Sequence, residues 1–317
     1  MRSPDQVSMQ HPTMPVTKPF LGVACLMLSM LALTGLDATG KWVMATGVPL
    51  LFFCWIRYIV HFFLVLTIAS PSLGLSVFKT QQPKLQLVRA VAMLMATLTF
   101  FTTLSHLHQA EATALIFISP LLMLLVAPWL LRERSYPSRW IAATFGLVGI
   151  IIVARPGAGL PWIGVLFGLV TACLFTAQHL VSRMLAQDNA LTTSLLSGAF
   201  GAVILTLAMP FVLPQAWVMI SSLSWAMWGL ILLGGVCGGM GQLLQIQSYR
   251  FAPASMLAPF IYLQITFAAT FGWLIWSHMP DSVTWIGIGI ICASGVINSV
   301  VEWRRSQRPS LSASPTI

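Results

Sequence analysis

The chain has 317 residues, 57% of them hydrophobic and 7% charged, with 16 Lys and Arg against 7 Asp and Glu for a net charge of +9. So little polar surface cannot clothe a water-soluble fold of this size. Twelve Trp, 18 Phe and 16 Met describe instead a polytopic membrane protein.

A helix needs about 20 residues to cross ~30 Å of hydrocarbon. Hydropathy predicts ten such spans, at 19–43, 50–70, 87–106, 110–131, 138–154, 161–183, 192–213, 223–247, 253–278 and 282–302. Barrel strands would need short alternating segments with polar lumen faces, which the sequence lacks, so the expected fold class is all-α. The first 18 residues are polar and proline-bearing, and the apolar run after them outlasts a signal peptide's core, so it is expected to stay uncleaved. Cys25, Cys54, Cys173, Cys237 and Cys292 fall inside predicted spans as small apolar residues, which leaves no disulfide or zinc framework.

The charges sort by membrane side. With the N-terminus inside, thirteen of sixteen Lys and Arg face the cytoplasm, among them Lys79, Lys84, Arg89, Arg183 and Arg250. Lys41 and Arg155 lie outside, and Arg57 is within a span. This positive-inside bias puts both termini in the cytoplasm and accounts for the net charge without nucleic acid. Trp42, Trp129, Trp140, Trp162, Trp217, Trp225, Trp285 and Trp303 sit near span ends, as an interfacial belt requires.

A shift of 142 positions lays the chain on itself. Pro19 to Val23 falls on Pro161 to Val165, Thr34 on Thr176, Lys41 on Arg183, and Ala110-Glu111-Ala112-Thr113 on Ala252-Pro253-Ala254-Ser255. The turn-rich segment Arg155 to Pro161 joins the halves. The expected organisation is a tail at 1–18, a five-helix repeat at 19–154, a linker at 155–160, a second repeat at 161–302 and a tail at 303–317. Five is odd, so the second repeat enters the membrane from the opposite side. Inverted repeats around a central cavity are the architecture of secondary transporters.

With these features the chain resembles the drug/metabolite transporter superfamily in its ten-helix EamA-type branch. The resemblance is carried by Asp37-Ala38-Thr39-Gly40-Lys41-Trp42, Trp55-Ile56-Arg57-Tyr58, Ala110-Glu111-Ala112-Thr113 through Ser119-Pro120-Leu121, Arg132-Glu133-Arg134, Arg155-Pro156-Gly157, and Tyr249-Arg250-Phe251-Ala252-Pro253-Ala254-Ser255. It covers about residues 19–302 and implies a bacterial inner-membrane carrier of small organic metabolites, most like members handling riboflavin, S-adenosylmethionine or amino acids. Ile275-Trp276-Ser277 departs from it, standing where many members carry an acidic residue.

Asp37 and Lys41 are four apart, share one helix face and can pair. With Arg57 and Glu111 they gather two acids and two bases in the outer half of the first repeat, where ionisable groups face the bundle interior or water. Either they form an internally neutralised packing network, with Glu111 complementing a helix N-terminus, or they gate the outer side and contact a charged group on the substrate. The second repeat places His179 at the Asp37 position and neutral groups elsewhere, including Gln178, Gln242, Gln245, Tyr262 and Gln264. Gln245, Tyr262 and Gln264 are candidate substrate contacts, against the alternative of interhelical hydrogen bonding. The glycines of Gly234 to Gly241 suit close helix packing or a partly unwound segment, and Pro120 and Pro259 suit kinks. Glu111 and His61 are the candidate proton-coupling groups; facilitated diffusion or exchange needs neither.

A membrane enzyme would need a dense catalytic constellation, yet the acids are scattered singly and only His106 and His108 stand close together in sequence. No Walker motif supports an ATP-driven pump. The expected protein is therefore a transporter without metal or cofactor, monomeric or homodimeric, whose partners are a small-molecule substrate, membrane lipid and, if coupled, protons. A zwitterionic or planar polar substrate suits the mixed charge and the aromatic residues Trp55, Tyr58, Phe100, Phe101 and Tyr262. A passive channel is the rival reading.

Overall fold

In the computed structural model, residues 19–130, 137–154, 160–185, 188–252, 257 and 260–306 are described, and they hold eleven α-helices and no strand. These are α1 (Pro19–Ala45), α2 (Leu50–Leu73), α3 (Pro83–His106), α4 (Gln109–Ile116), α5 (Ile118–Leu130), α6 (Pro137–Ala154), α7 (Trp162–Met184), α8 (Ala190–Ser221), α9 (Trp225–Phe251), α10 (Leu263–Trp276) and α11 (Ser282–Ser306). Six of them, α1, α2, α3, α7, α8 and α9, are long and apolar enough to cross a membrane, and shorter apolar stretches occupy 109–123, 140–153, 263–276 and 282–298. The ten predicted spans thus have ten counterparts.

Their differences from the predicted spans have local causes. The fourth span is two helices, because a proline ring clashes with the carbonyl four residues back; α4 ends at Ile116, four before Pro120, and a turn at Phe117 separates it from α5. The matching place in the second repeat breaks at Tyr262, and the two breaks touch, with the Phe117 and Tyr262 rings 5.3 Å apart. Pro259 and Ala254-Ser255 lie outside the described residues, as do Arg132 to Arg134 and Arg155 to Gly157. Helix α3 starts at Pro83, four residues before the predicted span, because proline suits a first helical turn. Arg89, expected to face the cytoplasm, is instead buried in a helix interface. Helix α8 runs 32 residues through Pro210 and Pro214, past the predicted end at 213.

The packing repeats under exchange of the halves. Helix α1 lies on α9 as α7 lies on α3, and α2 lies on α9 as α8 lies on α3. The α2–α8 and α6–α11 pairs map onto themselves. These close approaches explain the glycine run. A Cβ at Gly235 would stand 2.7 Å from Val60 Cβ, and one at Gly241 2.8 Å from Leu33 Cγ, so α9 wedges between α1 and α2 only without side chains there. Helix α9 stays continuous through the run, so close packing explains it and unwinding does not. In lipid the apolar exterior needs no second layer. Trp129, Trp162, Trp217 and Trp225 are all exposed near helix ends, as interfacial anchors are.

Candidate functional site

Because neighbouring helices cross the bundle antiparallel, it has a near face, where α1 starts, and a far face, where α1 ends. Between the halves lies a cavity that is partly open to the outside of the protein. Its lining obeys the repeat. Leu33 and Phe175, Leu36 and Gln178, Asp37 and His179, Phe100 and Gln242, and Ser119 and Ile261 all line it, and each pair is 142 residues apart. A cavity built from equivalent positions of two repeats lies on their symmetry axis.

Four of the sequence-predicted residues meet there: Asp37, Arg57, Gln245 and Gln264. At 1.5 Å per residue, Asp37 lies about 12 Å below the far end of α1 and Arg57 about 10 Å below the far start of α2, whereas Gln245 is about 9 Å from the near end of α9. Arg57 is 5% exposed; one nitrogen donates to Thr97 Oγ1 at 3.1 Å, and its Nε has no partner. An unsatisfied buried donor costs about 1–3 kcal/mol. Thr97 also meets the Tyr58 hydroxyl at 3.0 Å, and the guanidinium stands 5.0 Å from the Tyr58 ring, so α2 and α3 hold its orientation. Asp37 is 6% exposed and forms neither a hydrogen bond nor an ion pair with any described residue. Across the cavity, Gln178 Oε1 is likewise without a partner. The walls between these groups carry Phe100, Phe101, Phe117 and Phe175.

The other predicted residues lie elsewhere. Lys41 does not pair with Asp37. Its ammonium donates to Leu104 O at 2.9 Å and to Leu107 O, and sits 5.8 Å from the Trp276 ring centroid. The last carbonyls of α3 attract it because they lack intrahelical donors and carry the negative end of the helix dipole. Glu111 accepts the main-chain N–H of His108 at 3.1 Å, capping its own helix α4. Its other oxygen lies 3.8 Å from His278 Nε2. Tyr262 is buried beside Gly295, outside the cavity lining. His61, 1% exposed, is 3.2 Å from Ser194 Oγ at the α2–α8 contact. The cluster of two acids and two bases expected in the outer half of the first repeat is therefore two separate sites: Asp37 and Arg57 in the cavity, Lys41 and Glu111 at the far end.

At that far end Lys41 is joined by Trp42, whose ring lies 6.2 Å from Trp276, and by Gly40, where a Cβ would run into the Phe101 and Phe53 rings. At the same end His106, His108, Glu111, His278, Asp281 and Thr284 line a vestibule. Sequence reasoning passed over His278 and Gln109, whose amide ties α4 to the Thr34 carbonyl at 2.9 Å. No local spacing marks either residue, since their partners come from other helices.

The profile of the EamA-like transporter family matches this chain twice, over residues 20–155 and 162–300. The chain belongs to the EamA-like transporter family. Among characterised relatives, a riboflavin transporter of Rhizobium johnstonii is 27% identical over 75% of this chain and 77% of its own. A pseudopaline exporter of Pseudomonas aeruginosa is 26% identical over 63% and 69%, and an S-adenosylmethionine uptake transporter of Rickettsia conorii 22% over 69% and 72%. A solved crystal structure, 17% identical, aligns with a TM-score of 0.64 over 90% of this chain and 98% of its own, which establishes a shared fold. This EamA-like chain is thus a multi-pass membrane protein among transporters of small molecules.

Proposed function

We propose that this EamA-like chain is a secondary transporter of the bacterial inner membrane, moving a small amphiphilic metabolite by alternating access. In this reading 19–154 and 161–302 are the exchanging repeats, 155–160 their linker, and the tails at 1–18 and 303–317 share the cytoplasmic near face. The observation that carries it is the central cavity lined by residue pairs 142 apart and closed at one end. Two repeats that meet on an axis exchange conformations at little cost, which moves the opening from one face to the other. With the N-terminus taken as cytoplasmic, contacts at Lys41 and Trp42 support reading this as an inward-facing state.

Asp37 and Arg57 offer the substrate one acceptor and one donor with vacant capacity. Four phenylalanines give it a flat apolar wall, while Gln245 and Gln264 add amide contacts. This combination suits a zwitterionic or planar polar compound, a description that also fits the riboflavin, S-adenosylmethionine and pseudopaline named for relatives. Lys41 and Glu111 act at the outer gate, and Tyr262 braces the broken helices. If a proton drives the cycle, Glu111, which lines the vestibule, and His61 are the groups to test.

Reconstitution in proteoliposomes with riboflavin, S-adenosylmethionine and an aromatic amino acid tests the proposal, with and without a pH gradient. Saturable flux accelerated by substrate on the opposite side is expected for at least one compound. Arg57→Ala should lower it roughly 10- to 100-fold, the worth of a charged hydrogen bond, with the protein still in the membrane. Flux that neither saturates nor shows counterflow would mean a pore. Normal transport by both Arg57→Ala and Asp37→Asn would remove these residues from the substrate site.

A further inference from the structure

The far-face vestibule contains a side-chain arrangement that neither transport nor packing of the cavity requires. The imidazoles of His108, in the α3–α4 connection, and His278, in the α10–α11 connection, stack face to face with centroids 3.2 Å apart and planes 8° apart. One ring belongs to each repeat, so the stack bridges the halves at the end that is sealed.

Both rings are held in place by backbone geometry. Helix α10 ends with Ser277 at φ 52°, the one described non-glycine residue in the left-handed region. Its N–H bonds to Trp273 O at 2.9 Å, and the N–H of His278 bonds to Gly272 O at 3.2 Å. Such a cap normally uses glycine, so the chain accepts an unfavourable residue conformation in the turn that presents His278. On the other side, His108 is the N-cap of α4: its N–H bonds to Glu111, and its ring faces the Glu111 main-chain N–H in return.

The surroundings of the His108 ring resist a proton there. Glu111 lies 3.8 Å from His278 Nε2, in the ring stacked on His108. A proton on His108 faces the second imidazole, the positive end of α4 and the Lys41 ammonium. A doubly protonated imidazole also has no acceptor left to offer the Glu111 main-chain N–H. Burial first, then His278 and Lys41, hold the His108 imidazole down from 6.5 to about 4. The charged and titratable groups facing the stack among the described residues are Lys41 from α1, His106 at the end of α3, Glu111 from α4 and Asp281 from the α10–α11 connection.

We propose that the His108–His278 stack is an acid-released latch that holds the outer side of the transporter shut at neutral external pH. Once the halves part, His108 regains water and an ordinary affinity for protons, so the open state binds more protons than the latched one. External acid therefore shifts the population toward the outward-open state. The latch rests on the alternating-access reading, because it needs an outer end that opens.

Spin labels on Ser105→Cys and Met279→Cys, both exposed positions flanking the stack, report the gap in the full-length protein in liposomes as external pH falls from 7.5 to 4.5. The separated population should grow several-fold below about pH 6.5 in the parent chain. His108→Phe keeps a stacking ring that takes no proton and should stay closed throughout; His108→Asn keeps the cap and should lose the pH response. His278→Ala should be open at every pH. A gap that opens with substrate yet ignores pH in the parent, or that responds equally in His108→Phe, overturns the latch and leaves alternating access standing. A gap that stays shut under every condition while substrate is transported overturns both.

Discussion

The two ends of this transporter are built on the same plan and finished differently. At the far end α1 packs on α3: Gly40 lets the Phe53 and Phe101 rings in, and Lys41 ties down the exposed carbonyls of α3. At the near end the equivalent helices, α7 and α9, form no packed pair among the described residues. There the contact runs instead between α3 and the second repeat. Arg89 donates to Ser182 at 2.7 Å and to Ser197 at 2.5 Å, while Gln86 and Thr80 bond to Asp188. The backbone pattern is symmetric and the side-chain contacts at the two ends are not; in the proposed cycle such contacts at a few helix ends set which face is open.

The largest way to break this comparison is to fill Gly40. Gly40→Leu places a side chain where two phenylalanine rings already meet a Cβ, and overpacking of this kind costs about 1–3 kcal/mol or more. Only closed-outside states bear that cost. The variant should admit an impermeant thiol reagent from the far face and lose transport.

Lys41→Met tests the polar half of the same seal. It removes an ammonium bonded to two helix-terminal carbonyls, an interaction worth about 1–2 kcal/mol. A roughly tenfold rise in far-face labelling should follow. Charge exchange with Asp37 should not rescue it, because the two residues serve different sites. Rescue would restore the ion pair that the sequence spacing suggested.

Ser277→Gly sharpens the picture of the far-end turn. Relieving a left-handed serine should stabilise the protein by about 1 kcal/mol, read as a higher Tm in detergent, whereas Ser277→Val should lower it.

The smallest effect belongs to the near end. Hydrogen bonds from Thr80, from Gln86 and from the main chain of Gln81 hold the Asp188 carboxyl below the usual carboxylate range. The unfolded chain then binds more protons than the folded one. The contribution is present above the unfolded value of about 3.9 and is lost as pH falls through the depressed folded one. Amide exchange over 188–192 should speed up only below that range, and Asp188→Asn should remove the acid dependence.

The fold was legible because its determinants are averages: twenty-residue apolar runs and a constant 142-residue offset survive any local irregularity. The cavity was legible in part. Asp37, Arg57, Gln245 and Gln264 are costly polar groups in apolar helices, and lipid exposure forces such groups inward. What escaped was decided by competition between partners. Lys41 sits at the right spacing for Asp37 but finds the end of α3 nearer. Arg89 reads as a cytoplasm-facing charge at the start of its span until Ser182 and Ser197 of the second repeat receive it. His278 carries no local signal at all, since its partner His108 arrives from the α3–α4 connection, 170 positions upstream in the other repeat.

Cysteine accessibility at Leu33 and Phe175, one cavity residue from each repeat and related by the 142-residue shift, tests the central claim most directly. With Leu33→Cys and Phe175→Cys introduced separately, an impermeant reagent should reach both from the near face alone in the resting protein. It should reach both from the far face once substrate drives turnover. Simultaneous access from both faces at rest, or two sites that respond to opposite faces, would contradict a cavity shared by two repeats and opened to one side at a time.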